Sequence, residues 1–342
     1  MRPRDLSALL VTTIAARLPV LVVGGPGVGK SQIVEQAARA AGADVIVSHP
    51  AVSDPTDVKG LPWVGADQTS ATFLPFGELA RAIRATTPTV WFLDDLGQAP
   101  ASVQASFMQL LLARRVNEHA LPECVTFVAA TNRRTDRANV SGILEPVKSR
   151  FATIVELDAN LEDWSAWAVT HGIAPQILAF LRFRPELLSK FAPTADLTNS
   201  PVPRTWAHAS RWLTCPLQES VQRQAIAGAV GEGAAAEFFA YCQIYQELPD
   251  LDDIIANPKG WGMLPKQPAT LYAVVTGLAM KATVKTLEPI LAYADRMADK
   301  GYGEFAALLL RDMIRRDQTL MGQPAFVKVL GGPLGQLIEG RS

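Results

Sequence analysis

The run Gly24-Gly25-Pro26-Gly27-Val28-Gly29-Lys30-Ser31 constrains this chain more than any other feature. It satisfies the pattern G-x-x-x-x-G-K-[ST], which random composition would produce in only about one chain of this length in a hundred. An unbroken apolar stretch, Val20 to Val23, precedes it, and a helix-forming stretch, Ser31 to Arg39, follows. A strand, a glycine-rich loop and a helix in that order bring backbone N–H groups and a helix N-terminus to one point, which suits a polyphosphate. The glycines permit positive φ and close backbone approach, Lys30 offers a cation to the β- and γ-phosphates, and the Ser31 hydroxyl can ligate Mg²⁺. An ordinary glycine-rich turn is the competing reading, and it leaves both the lysine and the flanking elements unexplained.

The rest of the first half fits that context. Val20–Gly24, Asp44–Ser48, Val90–Asp94, Val125–Thr131 and Thr153–Leu157 are strand candidates separated by helical patterns. They predict an α/β fold with a parallel five-stranded sheet. Runs such as Val90 to Leu93 show no polar alternation, as expected of strands covered on both faces. From Leu161 onward the pattern is helical, punctuated by Pro175, Pro185, Pro193, Pro201 and Pro203, with a second break from Leu248 to Pro268. The expected organisation is an αβα core over 1–158, a helical lid over 159–248 and a helical C-terminal extension over 249–342.

Bulk properties narrow the function classes. The formal net charge of the 342 residues is -1, so overall electrostatics give no reason to expect a nucleic-acid or membrane partner. Cys124, Cys215 and Cys242 are odd in number and far apart, which reads as reduced thiols in a cytoplasmic protein. His49, His119, His171 and His208 are scattered, so no zinc site is expected. The N-terminal stretch is too short and too charged for a signal peptide or membrane span.

Two further strand ends carry polar groups suited to nucleotide chemistry. The apolar run Val90 to Leu93 ends in Asp94-Asp95. It looks like a Walker B strand, in which Asp94 would reach the Mg²⁺ shell and Asp95 would orient or activate the attacking water. A plain helix-capping role for these aspartates is the alternative. Val125 to Thr131 ends in Asn132, whose amide can hydrogen-bond a water or the γ-phosphate, although an asparagine after a strand also serves as a turn residue.

These three elements in this order resemble an AAA+ ATPase, and the details are similar to the MoxR branch. Asp54 to Pro62 followed by Thr72 to Leu79 is similar to that branch's helix-2 insert, here about 50–76, which implies loops facing a central pore. The stretch at about 113–124 would be its pre-sensor hairpin, with Asn117 to Ala120 near the tip. Asn132 to Arg137 and Leu144 to Phe151 resemble the sensor-to-finger segment, which makes Arg150 the arginine-finger candidate and Arg137 the fallback. A guanidinium supplied by a neighbour would make hydrolysis depend on assembly. Pro203-Arg204-Thr205-Trp206 matches a second-sensor signature, which implies that Arg204 reads the nucleotide state. Leu181 to Leu188 and Gly228 to Ala234 resemble a bacterial MoxR-like subgroup that works beside proteins with a von Willebrand A-type domain.

The resemblance implies an ATP- and Mg²⁺-dependent ring, a homo-hexamer, that remodels a partner protein. No residue distinguishes ATP from GTP. One departure bears on turnover: the family commonly has Asp-Glu where this chain has Asp94-Asp95, and a misplacement of about 1 Å can cost roughly a hundredfold in rate. A non-hydrolysing ATP switch, which the Asp94-Asp95 pair motivates, stands beside the remodelling ATPase, and so does a nucleic-acid-stimulated motor in which Arg133, Arg134 and Arg137 would line a basic pore.

Overall fold

The computed structural model describes residues 1–65, 68–136, 142–246, 248, 250–260, 262 and 264–338. They form two compact units, one of Met1–Asn160 with Phe191–Ala195, the other of Leu161–Lys190 with Asp196–Ser342.

In the first unit the strands are β1 (Val20–Gly24), β2 (Asp44–Ser48), β3 (Leu61–Val64), β4 (Ala71–Leu74), β5 (Thr89–Leu93), β6 (Arg115–Val116), β7 (His119–Ala120), β8 (Val125–Thr131) and β9 (Thr153–Leu157). The helices are α1 (Pro3–Ala15), α2 (Lys30–Ala40), α3 (Pro55–Lys59), α4 (Gly77–Ile83), α5 (Ala101–Ala113) and α6 (Glu145–Lys148). Five strands pair side by side in the order β2-β5-β8-β1-β9, all parallel, as the apolar runs predict.

Period-two alternation sorts the strand residues onto two buried faces. Leu21, Trp91, Phe127 and Ala129 pack with Val103, Phe107 and Leu110 of α5. Val20, Val22, Phe92, Val128 and Ala130 pack with Leu6 and Leu10 of α1 and Val34, Ala37 and Ala38 of α2. Every residue of β5 and β8 is buried. The Trp91 indole keeps its donor satisfied inside this core by bonding Ser48 Oγ at 2.8 Å. Because all five strands run the same way, their C-terminal ends, and the loops that follow, lie along one edge of the sheet.

The stretch between β2 and β5 folds as α3, the antiparallel hairpin β3–β4 and α4. Asp54 opens α3 with a capping box, accepting from Thr56 N at 2.9 Å while its own N–H donates to Asp57 Oδ2 at 2.8 Å. The Thr56 backbone and hydroxyl bonds hold the Asp54 carboxyl below its ordinary pKa. Gly60 closes α3 at φ 90°, where an added Cβ would sit 2.8 Å from Leu74 O. A second hairpin, β6–β7, fills the region before β8. Its tip reaches the first: Glu118 Oε1 accepts from Phe73 N at 2.8 Å, His119 Nε2 meets Phe73 O at 2.6 Å, and Asn117 Nδ2 donates to Lys59 O at 2.9 Å.

The second unit comprises α7 (Leu161–Thr170), α8 (Pro175–Phe183), α9 (Pro203–Thr214), α10 (Glu219–Val230), α11 (Glu232–Gln246), α12 (Leu251–Ala256), α13 (Pro268–Lys281), α14 (Leu287–Asp299), α15 (Gly303–Arg316), α16 (Pro324–Leu330) and α17 (Pro333–Ile338). Residues before and after 249 pack together in it. Helix α13, buried on Leu271, Ala273, Val274, Val275 and Leu278, lies against α8 and α15. Arg182 of α8 makes an ion pair with Asp312 of α15 at 2.7 Å and donates to Thr276 of α13 at 2.9 Å. Trp206 of α9 is fully buried beside Phe180 and Phe238, and its indole donates to Leu187 O at 2.7 Å. Among the described residues no helix is long and apolar enough to cross a membrane.

Candidate active site

Three strand-end residues singled out in the sequence, Asp94, Asp95 and Asn132, meet the glycine-rich loop at one place. The loop leaves β1 at Gly24 and enters α2 at Lys30, with Gly27 at φ 71° and Gly29 at φ 102°, conformations that a side chain would strain. Gly24 is required for a different reason. It sits opposite Leu157 of β9, and an added Cβ would lie 2.9 Å from the Leu157 carbonyl oxygen.

Lys30 is buried, and its ammonium donates to Gly24 O at 2.8 Å, Gly25 O at 3.1 Å and Asn132 Oδ1 at 2.6 Å. A buried cation needs such partners, and here they also fix where the charge lies. Ser31 Oγ donates to Asp94 Oδ2 at 2.7 Å, so a hydroxyl from the first turn of α2 and a carboxylate from the end of β5 converge. Two hard oxygen donors at that separation fit a small divalent cation such as Mg²⁺. Among the described residues no cluster of three or more His, Cys, Asp or Glu side chains forms another metal site.

Asp94 lies one residue beyond β5, its N–H bonded to Ser48 O at 2.9 Å, and its Oδ1 accepts from Asp95 N at 3.1 Å. Asp95 adopts a left-handed conformation at φ 58°, ψ 35°. That region disfavours most side chains and tolerates aspartate better than glutamate, so the backbone itself gives a reason for the shorter acid here. Asn132 Nδ2 donates to Asp95 Oδ1 at 3.4 Å, a long bond. A polar chain therefore runs from the loop carbonyls through Lys30 and Asn132 to Asp95.

Arg150 follows α6, and its guanidinium is held within its own chain, by Met108 O at 3.0 Å and by Pro146 O. Arg204 is exposed in the first turn of α9, in the second unit. Arg137 lies outside the described residues.

Arg133 was read from the sequence as part of the sensor-to-finger segment and as a candidate lining of a basic pore, yet it lies against the loop. Its Nε donates to Glu156 at 2.5 Å and its Nη2 to Asp158, while Nη1 is 3.7 Å from the position of a Cβ on Gly25. Partial burial works against its charge, but hydrogen bonds and attraction from the two carboxylates outweigh that and raise its pKa above the arginine norm. The available signal was the pair Glu156 and Asp158, two residues apart and so on one side of the chain at the end of a strand candidate.

With the loop, the acidic strand end and the asparagine on adjacent parallel strands, the family comparison agrees with the geometry. Residues 19–151 match the AAA domain, dynein-related subfamily. The matched stretch runs from just before β1 to just past α6, and it holds all the clustered residues. No curated protein matches the chain. Among solved structures, similar folds include the RuvB Holliday junction branch migration motor of Thermotoga maritima, at 15% identity over 81% of this chain and 80% of that one, with a TM-score of 0.39. Another is NtrX of Brucella abortus, solved in complex with ADP, at 14% identity over 97% of this chain and 68% of that one, with a TM-score of 0.43. At these values the AAA domain match and the site's own geometry carry the argument.

Proposed function

We propose that the protein is a MoxR-like, ring-forming ATPase that binds and hydrolyses ATP with Mg²⁺ to remodel a partner protein. The observation that carries this reading is the convergence of Lys30, Ser31, Asp94, Asp95 and Asn132 at one edge of the sheet, joined by the bonds above. In the proposed assignment the amides of Gly24 to Gly29 and the Lys30 ammonium cradle the phosphates, with Pro26 and Val28 shaping the loop. Ser31 and Asp94 would hold Mg²⁺, which screens phosphate charge and orients the chain for attack. Asp95 accepts a proton from, or orients, the attacking water, and Asn132 hydrogen-bonds that water or the γ-phosphate. Arg150 acts in trans on a neighbour's nucleotide, which requires it to leave the carbonyls of Met108 and Pro146. Arg204 contributes from the helical unit. A homo-hexamer in the cytoplasm, acting with a von Willebrand A-type partner, is the proposed setting.

A second reading, an ATP-holding switch with negligible turnover, draws on the long Asn132–Asp95 bond and the short acid at 95. Turnover per chain measured across protein concentration separates the two. A ring with trans arginines gives activity per chain that rises with assembly, whereas tight ATP binding with flat, negligible turnover selects the switch. An Asp95→Asn trap with ATP then asks for the partner: an empty pull-down from native extract counts against remodelling.

A further inference from the structure

Lys30 grips the carbonyls of Gly24 and Gly25 from inside the loop, and the other side of the same two residues is equally constrained. There Gly24 packs on the Leu157 carbonyl, and Gly25 faces the Arg133 guanidinium and the Asp136 carboxylate, 3.7 and 3.9 Å from the position of its missing Cβ. Arg133 is not free to move. Its N–H donates to Asp136 Oδ2 at 3.1 Å, closing the short 3₁₀ turn Arg134–Asp136 that follows Asn132, and its side chain forks onto Glu156 and Asp158. These two acids flank Leu157 in sequence, so the end of β9 presents a carboxylate on each side of the residue against which Gly24 rests.

A surface ion pair by itself contributes little, and both carboxylates are more than half exposed. Their place changes the matter. Two negative charges beside a loop built to receive a polyphosphate would oppose the anion, and a guanidinium between them offsets one of the two while its planar fork bridges both.

We propose that Arg133 is a positioning residue for the phosphate loop: clamped by Glu156 and Asp158, its guanidinium backs Gly25 and offsets part of the acidic charge at the loop's outer side. This rests on the nucleotide-binding reading above. Arg133 does not touch the reacting atoms in this arrangement, and it acts through the loop.

The test is titration of the full-length protein with a fluorescent ATP analogue at low and high salt, alongside thermal unfolding. Arg133→Ala should weaken binding about tenfold at low ionic strength, the scale of one poorly screened charge beside an anion site, and less at high salt. Arg133→Lys should fall between, because it keeps the charge and loses the fork. Adding Glu156→Gln and Asp158→Asn to Arg133→Ala should recover much of the affinity, which a merely structural salt bridge would not do. A dissociation constant for Arg133→Ala within twofold of wild type overturns the proposal and leaves the ATPase reading standing. So does a loss with no salt dependence and no recovery in the triple variant. If the wild-type protein binds no analogue, the nucleotide reading falls and this proposal falls with it.

Discussion

Replacing Asp95 by glutamate tests the proposed water-activating role most directly. Asp95 Oδ1 stands 3.4 Å from Asn132 Nδ2, about half an ångström beyond an ordinary bond of this type. One added methylene extends the side chain by about 1.5 Å, more than enough to close that gap. A reacting group misplaced by about 1 Å can cost a hundredfold, or about 2.7 kcal/mol at 1.36 kcal/mol per tenfold. Against this gain stands the backbone. Residue 95 is left-handed, and a glutamate there costs about 1 kcal/mol more than an aspartate able to bond locally. That strain is present in ground and transition states alike, so it lowers stability and leaves the barrier untouched. Asp95→Glu should therefore raise kcat by about tenfold to a hundredfold with little change in KM, and lower the Tm of the first unit by about 2–4 °C. The assay is steady-state phosphate release at several protein concentrations, with Asp95→Ala as reference. A glutamate variant no faster than wild type would refute the argument that reach limits this site. Fast cleavage unchanged by Asp95→Ala would remove Asp95 from the mechanism altogether.

Other consequences are separately measurable. Arg150→Ala should leave ATP affinity intact and reduce kcat about a thousandfold, read by comparing nucleotide titration with turnover. Asp312→Ala strands the buried Arg182 guanidinium and should cost about 3–5 kcal/mol, which is about 6–20 °C in the Tm of the helical unit; replacing both by Met and Leu should be neutral or stabilising, and calorimetry decides. Burial pushes the Cys242 thiol up from 9.0 to about 11 and the Tyr293 hydroxyl up from 10.0 to about 12. Both groups are neutral when protonated and raised on folding, so their contribution is complete below pH 9 and is lost as pH rises toward 12. The urea midpoint of the helical unit should fall across that range, and Cys242→Ala should flatten the part between pH 9 and 11.

Local signals carried much of this protein. The five core strands were legible because a doubly covered parallel strand must be apolar throughout, and only β5 moved by one residue, since Thr89 is buried in the sheet while Asp94 lies past its end. The glycine-rich loop was legible because its chemistry lies within eight consecutive residues. Pairings between distant segments were not. Nothing near Asn132 announces that its oxygen meets the Lys30 ammonium, because that bond depends on β8 lying beside β1. The Arg133 clamp needs the further fact that β9 pairs with the other edge of β1. For Arg150 the family resemblance supplied a role, while the side chain's own bonds to Met108 and Pro146 could only come from coordinates.

The contact between the two hairpins has a consequence for how the insert can change over time. Glu118 and His119 hold β4 through the backbone N–H and carbonyl of Phe73, and Asn117 holds the end of α3 through the carbonyl of Lys59. Main-chain groups are the same whatever residue carries them. The β3–β4 hairpin, with Leu61, Trp63, Val64 and Leu74 outward, can therefore exchange its surface side chains without losing its attachment. The three gripping residues cannot be exchanged so freely. Drift in what the insert displays is thus separated from the hold that keeps it in place, and a lineage could retune one while conserving only Asn117, Glu118 and His119.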